Sequence, residues 1–195
     1  PKLKIFRMTG GEPLLDRNTF KVFDYAKNTP NPNLILSLTS NLGVKKPIYD
    51  RFIESARTLK ENGNIKDFQL FASIDSIGKQ AEYIRHGLDY DYFIHNVERY
   101  LTEVPHSSIS FIVTFSLMSM PGFSALIETF LELRKKFNKD FQRIHFDTPR
   151  LTAPRFFSLN ILTDDFQDQL RGQIEHLKKY RTQSDTDLNG LSDAE

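Results

Sequence analysis

The chain has 195 residues, with 26 basic and 25 acidic side chains, 39% hydrophobic residues and no cysteine. A net charge of +1 gives no field for nucleic acid or an anionic membrane, which require many unneutralised Lys and Arg on one face. The lack of cysteine excludes disulfides, thiolate zinc sites, a cysteine nucleophile and any cluster ligated by thiolates of this chain.

A chain of this length forms one domain and buries about 70% of its unfolded surface. No run approaches the roughly 18 apolar residues of a membrane span. The longest candidate, Ile109 to Met120, is broken by Ser110, Thr114, Ser116 and Ser119. The expectation is a soluble protein with neither a nucleic-acid nor a membrane partner.

Five segments rich in β-branched and aromatic residues read as strands: Lys4 to Met8, Leu34 to Ser40, Phe68 to Ile74, Ile109 to Leu117 and Ile144 to Asp147. Helical stripes lie between them. Phe20, Phe23 and Ala26 precede the stop at Pro30-Asn31-Pro32. From Pro47, a residue suited to a first helical turn, Ile48, Phe52, Ile53, Ala56 and Leu59 repeat until Asn62-Gly63. Phe93, Ile94, Val97 and Leu101 run to Pro105, and Leu126, Phe130, Leu133 and Phe137 follow Pro121-Gly122. A last helix starts near Asp164, read as a cap with Gln167 three residues on, and continues through Phe166, Leu170, Ile174 and Leu177. Residues 1–180 thus form the folded core, and the polar, acidic stretch 181–195 reads as a disordered tail or linker. The seventeen Phe are expected mostly in the core.

Strand-helix alternation implies parallel pairing with right-handed crossovers, giving an open doubly wound sheet or a barrel segment. Either places ligands outside the carboxyl ends of the strands. Those ends read Thr9-Gly10-Gly11-Glu12-Pro13, Thr39-Ser40-Asn41-Leu42-Gly43, Ser73-Ile74-Asp75-Ser76-Ile77-Gly78, Ser116 to Gly122, and Asp147-Thr148-Pro149-Arg150. Turn chemistry explains any one of them; together they outline a site. In the first, two glycines open the backbone to a ligand, Glu12 supplies a fixed anion and Pro13 stiffens the exit. An anion there suits an ammonium group and repels phosphate. The spacing matches neither a dinucleotide fingerprint nor a P-loop.

Thr9-Gly-Gly-Glu-Pro13 closing a strand, Ser40-Asn41 at the next strand end, and Ser73-Ile-Asp-Ser-Ile-Gly-Lys-Gln-Ala-Glu-Tyr-Ile-Arg85-His-Gly resemble the radical S-adenosylmethionine (radical SAM) superfamily. The resemblance covers about residues 3 to 180 and points to the peptide-modifying branch with a twitch or SPASM extension. It implies a cytoplasmic α/β protein whose core is a partial parallel barrel, here five strand-helix units of six. Gly10, Gly11, Glu12 and Pro13 would hold the amino group of S-adenosylmethionine (SAM). Ser73 and Arg85, twelve positions apart, would hold its carboxylate and ribose end. An opposite charge for the ammonium and a planar fork for the carboxylate are what a zwitterion requires. Asn41 would face the adenosine side, although an Asx turn explains it nearly as well; Asp75 suits a turn cap as readily as a ribose contact. Met118 and Leu151 at strand ends are adenine contacts or plain core.

The same family holds a [4Fe–4S] cluster on three cysteines in the loop after its first strand, and none is present here. The Gly-Gly-Glu-Pro strand, second in the family, lies at the start of this chain. Beginning on Pro1 and a strand, the sequence reads as an internal piece of a longer enzyme in preference to a degenerate relative that lost its redox centre. The expected cofactor is SAM, with a [4Fe–4S] cluster only in a longer chain carrying upstream cysteines, and this chain alone is expected to be inactive. The expected partners are SAM, a peptide substrate, and a second copy meeting the unpaired edge of the first strand. A non-catalytic interaction domain is the rival from another class. A lyase acting on a phosphorylated substrate is disfavoured, with no phosphate loop at the last strands. The five histidines form no zinc pattern; His145 and Asp147 share a strand face and either meet substrate or are structural.

Overall fold

A computed structural model describes residues 3–139 and 141–179 of the chain, so the expected tail at 181–195 lies outside the described residues. The elements alternate as expected: β1 (Ile5–Met8), α1 (Arg17–Asn28), β2 (Asn31–Ser40), α2 (Lys46–Glu61), β3 (Ile65–Ser73), α3 (Gly78–Ile84), α4 (Tyr90–Glu103), β4 (Ser108–Ile112), α5 (Met120–Phe137), β5 (Ile144–Asp147) and α6 (Asp164–Lys179). The five strands pair in parallel in their chain order, β1-β2-β3-β4-β5.

The strands alternate sharply between two faces. Leu36, Leu38, Phe68, Leu70, Ala72, Ile109, Phe111 and Ile144 share one face, all at 0% exposure. Phe68 meets Phe23 of α1 and Phe52 of α2, at ring separations of 5.9 and 5.7 Å. Phe111 meets Phe93 of α4 at 6.4 Å and stacks on Phe130 of α5 at 4.2 Å. Four helices therefore lie on one side. Sequential parallel order with helices on one side makes an arc of a (β/α) barrel, the α/β class the sequence implies, and not a doubly wound sheet.

The opposite face carries Arg7, Ser37, Thr39, Gln69, Phe71, Ser73, Ser110, Ile112, His145 and Asp147 in adjacent register rows. Parallel sheets are normally apolar on both faces because helices cover both. Here the inner face is mostly polar, and apart from Ser37 its residues are half-buried or exposed.

Several boundaries differ from the sequence reading. β4 stops at Ile112, short of Leu117, because the Thr114 amide donates to the Asp75 carboxylate at 2.8 Å and leaves the ladder. Pairing resumes only as a single bridge between Phe115 and Arg150. β2 begins at Asn31, three residues early, with an irregular register between Asn31 and Ile35 beside Pro32. Helix α3 was not anticipated; its seven residues are too few to show a period. The first α6 hydrogen bond runs from the Gln167 amide to the Thr163 carbonyl at 3.0 Å, so the cap position is Thr163 and Asp164 is the first helical residue. Phe6, Phe141, Phe156 and Phe166 are exposed, outside the core.

Two polar devices tie the layers, one buried and one half-buried. Tyr100 stacks on Phe52 at 6.1 Å, and its hydroxyl lies 3.2 and 3.1 Å from the carbonyls of Phe68 and Ser108 on neighbouring strands. Burial pushes this phenol well above its ordinary pKa. Arg143, before β5, donates to the carbonyls of Leu101, Val104 and Ser107, each at 2.9 Å, closing the end of α4. Burial lowers its pKa from the usual guanidinium value. Arg143→Met strands three carbonyls and is expected to lower stability by about 2–3 kcal/mol in urea denaturation; a change within about 0.5 kcal/mol would contradict this role.

Candidate functional site

The carboxyl ends of the strands gather at one rim. After β1 the chain turns through Gly10 at φ +95° and Gly11 at φ +53°, both in the left-handed region. A Cβ at either would meet nothing within 4 Å, so the requirement for glycine is one of backbone and not of space. An L side chain there costs about 1–2 kcal/mol. The turn delivers Glu12, whose Oε1 accepts from the Leu14 amide at 3.2 Å and whose Oε2 accepts from the Asn41 amide at 2.9 Å. Pro13 opens a 3₁₀ turn, Pro13–Leu15, and its carbonyl accepts from Thr19 Oγ1 at 2.6 Å.

Glu12 is therefore held across the ends of β1 and β2 by two backbone amides. It is half-exposed, and each oxygen keeps a lone pair beyond those bonds. Gly10, Glu12 and Pro13 line a cleft of about 290 Å³ with Thr9 and Asp16.

Asn41 contributes its amide to Glu12, while its Oδ1 accepts from the Gly43 amide at 2.9 Å. The side chain thus forms an Asx turn through Oδ1. Leu42 beside it is fully buried at φ +56°, an uncommon conformation for leucine. Its amide donates to Ser40 Oγ and its carbonyl accepts from Asn96 Nδ2, each at 2.9 Å. Asn96, wholly buried on α4, pins this loop; Tyr92 adds a bond to the Val44 carbonyl at 3.1 Å. Asn96 escaped the sequence reading, although a polar residue three positions after Phe93 sits in the buried stripe.

Ser73 ends β3 on the inner face, half-buried and paired with Ile112. Asp75, 6% exposed, accepts from the Thr114 amide through Oδ1. Arg85 clasps the same carboxylate, Nη2 donating to Oδ1 at 3.1 Å with Nε 2.7 Å from Oδ2. The structure brings Asp75 and Arg85 together, yet as partners of one another: Asp75 caps the loop end, and the Arg85 charge is neutralised within the protein. Met118 lends its carbonyl to Gln80 Nε2, and Leu151 pairs its amide with the Phe115 carbonyl at 3.0 Å. His145 and Asp147 lie on the inner face beside Ser110 and Ile112.

Gly122, in the first turn of α5, explains how the loop after β3 is held. A Cβ there would stand 2.2 Å from Ser76 Oγ and 2.6 Å from Gln80 Oε1. Any larger residue there would require the Ser76 hydroxyl and the Gln80 amide to shift. Among the described residues, no group of three or more His, Cys, Asp or Glu is placed to hold a metal ion, and no helix is long and apolar enough to cross a membrane.

No protein-family model matches the chain, and no curated protein matches it.

Proposed function

We propose that this chain is the SAM-gripping part of a radical SAM enzyme, with Glu12 taking the ammonium of the cofactor. The observation that supports this reading is a carboxylate fixed by two backbone amides beside two left-handed glycines, at the rim of a one-sided parallel arc with a polar inner face. A site built around an anion receives a cation, and a glycine turn lets a ligand reach the main chain. Ser73 and the polar inner face would border the rest of the cofactor and a peptide or small-molecule substrate.

The donor set does not fit a [4Fe–4S] cluster, since the chain offers no thiolate. Reductive cleavage of SAM to a 5′-deoxyadenosyl radical belongs to a protein carrying the cluster cysteines, and no step of it is assigned to the residues here. Titration calorimetry tests the reading: SAM binds the chain with a micromolar Kd, whereas absence of heat favours the interaction domain.

That second reading has its own observation. The outer edge of β1 has no partner strand among the described residues, and Leu3, Ile5 and Tyr25 are 51%, 60% and 68% exposed along it. An apolar groove of about 430 Å³, lined by Leu3, Phe6, Val22, Tyr25, Leu34 and Leu36, runs beside the edge. Free edges with apolar flanks pair with other chains. Sedimentation velocity is expected to show a rising sedimentation coefficient with concentration, suppressed by Ile5→Lys; a monomer at every concentration would contradict it.

A further inference from the structure

The clasp between Asp75 and Arg85 leaves a zwitterionic ligand without an unneutralised cation from that pair. Another cation stands on the inner face. The Arg7 guanidinium carbon stands over the Phe71 ring, 3.8 Å from its centroid, and Nη2 donates to Thr39 Oγ1 at 3.3 Å. The exposed side chain thereby reaches from β1 to residues of β2 and β3, and among the described residues it forms no ion pair. A guanidinium bedded on an aromatic ring keeps most of its five donors for a planar acceptor.

Its position relative to Glu12 is set by β2. Thr39, which orients Arg7, lies two residues before Asn41, whose amide orients Glu12. Arg7 and Glu12 line the same cleft of about 290 Å³, so both charges face one ligand-sized space.

We infer that Arg7, and not Arg85, reads the α-carboxylate of the ligand whose ammonium Glu12 holds. The inference rests on the SAM reading above and names the second pole of its zwitterion site. The first pole comes from the Gly10-Gly11 turn, the second from the strand leading into it, so one β-turn segment brackets both charges. Arg85 is then a positioning residue that holds Asp75, and through it the ends of β3 and β4.

Decarboxylated SAM, which keeps the ammonium and loses the carboxylate, separates the two arginines. By titration calorimetry the chain is expected to bind SAM at least about 10-fold more tightly than this analogue. Arg7→Gln is expected to abolish that preference while leaving the Kd of the analogue within about 2-fold, an outcome that lost stability alone would not produce. Phe71→Leu, which removes the ring bed and keeps the charge, is expected to weaken the preference. If Arg7→Gln retains the preference, weakens both ligands equally, or is silent where Arg85→Gln abolishes it, the inference is overturned and the SAM reading stands. Equal affinity of the unaltered chain for both ligands overturns the inference as well. If neither ligand binds, both fall.

Discussion

Glu12→Ala is expected to weaken SAM binding by about 10- to 100-fold and to lower stability by about 1–2 kcal/mol. The two effects have separate origins. Affinity falls because the ammonium loses a charge-assisted acceptor that two amides have already oriented. Stability falls because the same substitution removes the side-chain cap on the Leu14 amide and the bond between the β1 and β2 ends. Glu12→Gln separates them in part: its single carbonyl oxygen serves one of the two amides while its NH2 faces the other, so only part of the stability returns and the affinity loss remains. Calorimetric titration beside urea denaturation reads both. Alanine at position 12 binding SAM as tightly as glutamate would reduce this carboxylate to a cap.

Gly122→Ala is expected to lower stability by about 2–3 kcal/mol, the upper range for overpacking a close contact. The sign is informative, because alanine in a helix ordinarily stabilises relative to glycine by about 1 kcal/mol. Here the new methyl would meet Ser76 Oγ at 2.2 Å and Gln80 Oε1 at 2.6 Å. Ser76 Oγ is buried and has no hydrogen-bond partner among the described residues, so Ser76→Ala alone is expected to be nearly neutral. Combined with Gly122→Ala it is expected to restore about 1 kcal/mol or more, a coupling that a double-mutant cycle measures. Additive effects would show that the contact between α5 and the loop after β3 is looser than described. Because that loop carries Asp75, failure of the contact also disturbs the rim.

The order of strands and helices was legible because each apolar stripe repeats with the period of its element, as Phe52, Ile53, Ala56 and Leu59 do on α2. So was the location of the rim, since parallel strands all end on one side. What sequence did not reveal was which polar groups there consume one another. Asp75 and Arg85 each suit a ligand, and only the closure of the turn between them shows that they pair. Asn41 suited a turn and a ligand alike in the sequence, and the bond from the Gly43 amide to its Oδ1 depends on the course of the loop. Gly122 read as a turn signal with Pro121, whereas its role is a close approach invisible without the facing Ser76. Arg7 carried no signal of its own in the sequence, because its bed on Phe71 depends on a register two strands away.

If the rim at Gly10 to Glu12 grips SAM, a ¹⁵N–¹H correlation spectrum of the chain titrated with SAM shows it residue by residue. Saturable shifts are expected at Gly10, Gly11, Glu12, Asn41 and Leu42, with little change on the amides of α2 and α4. An unchanged spectrum at millimolar SAM, or shifts confined to the groove beside Leu3 and Tyr25, would contradict SAM binding at the rim.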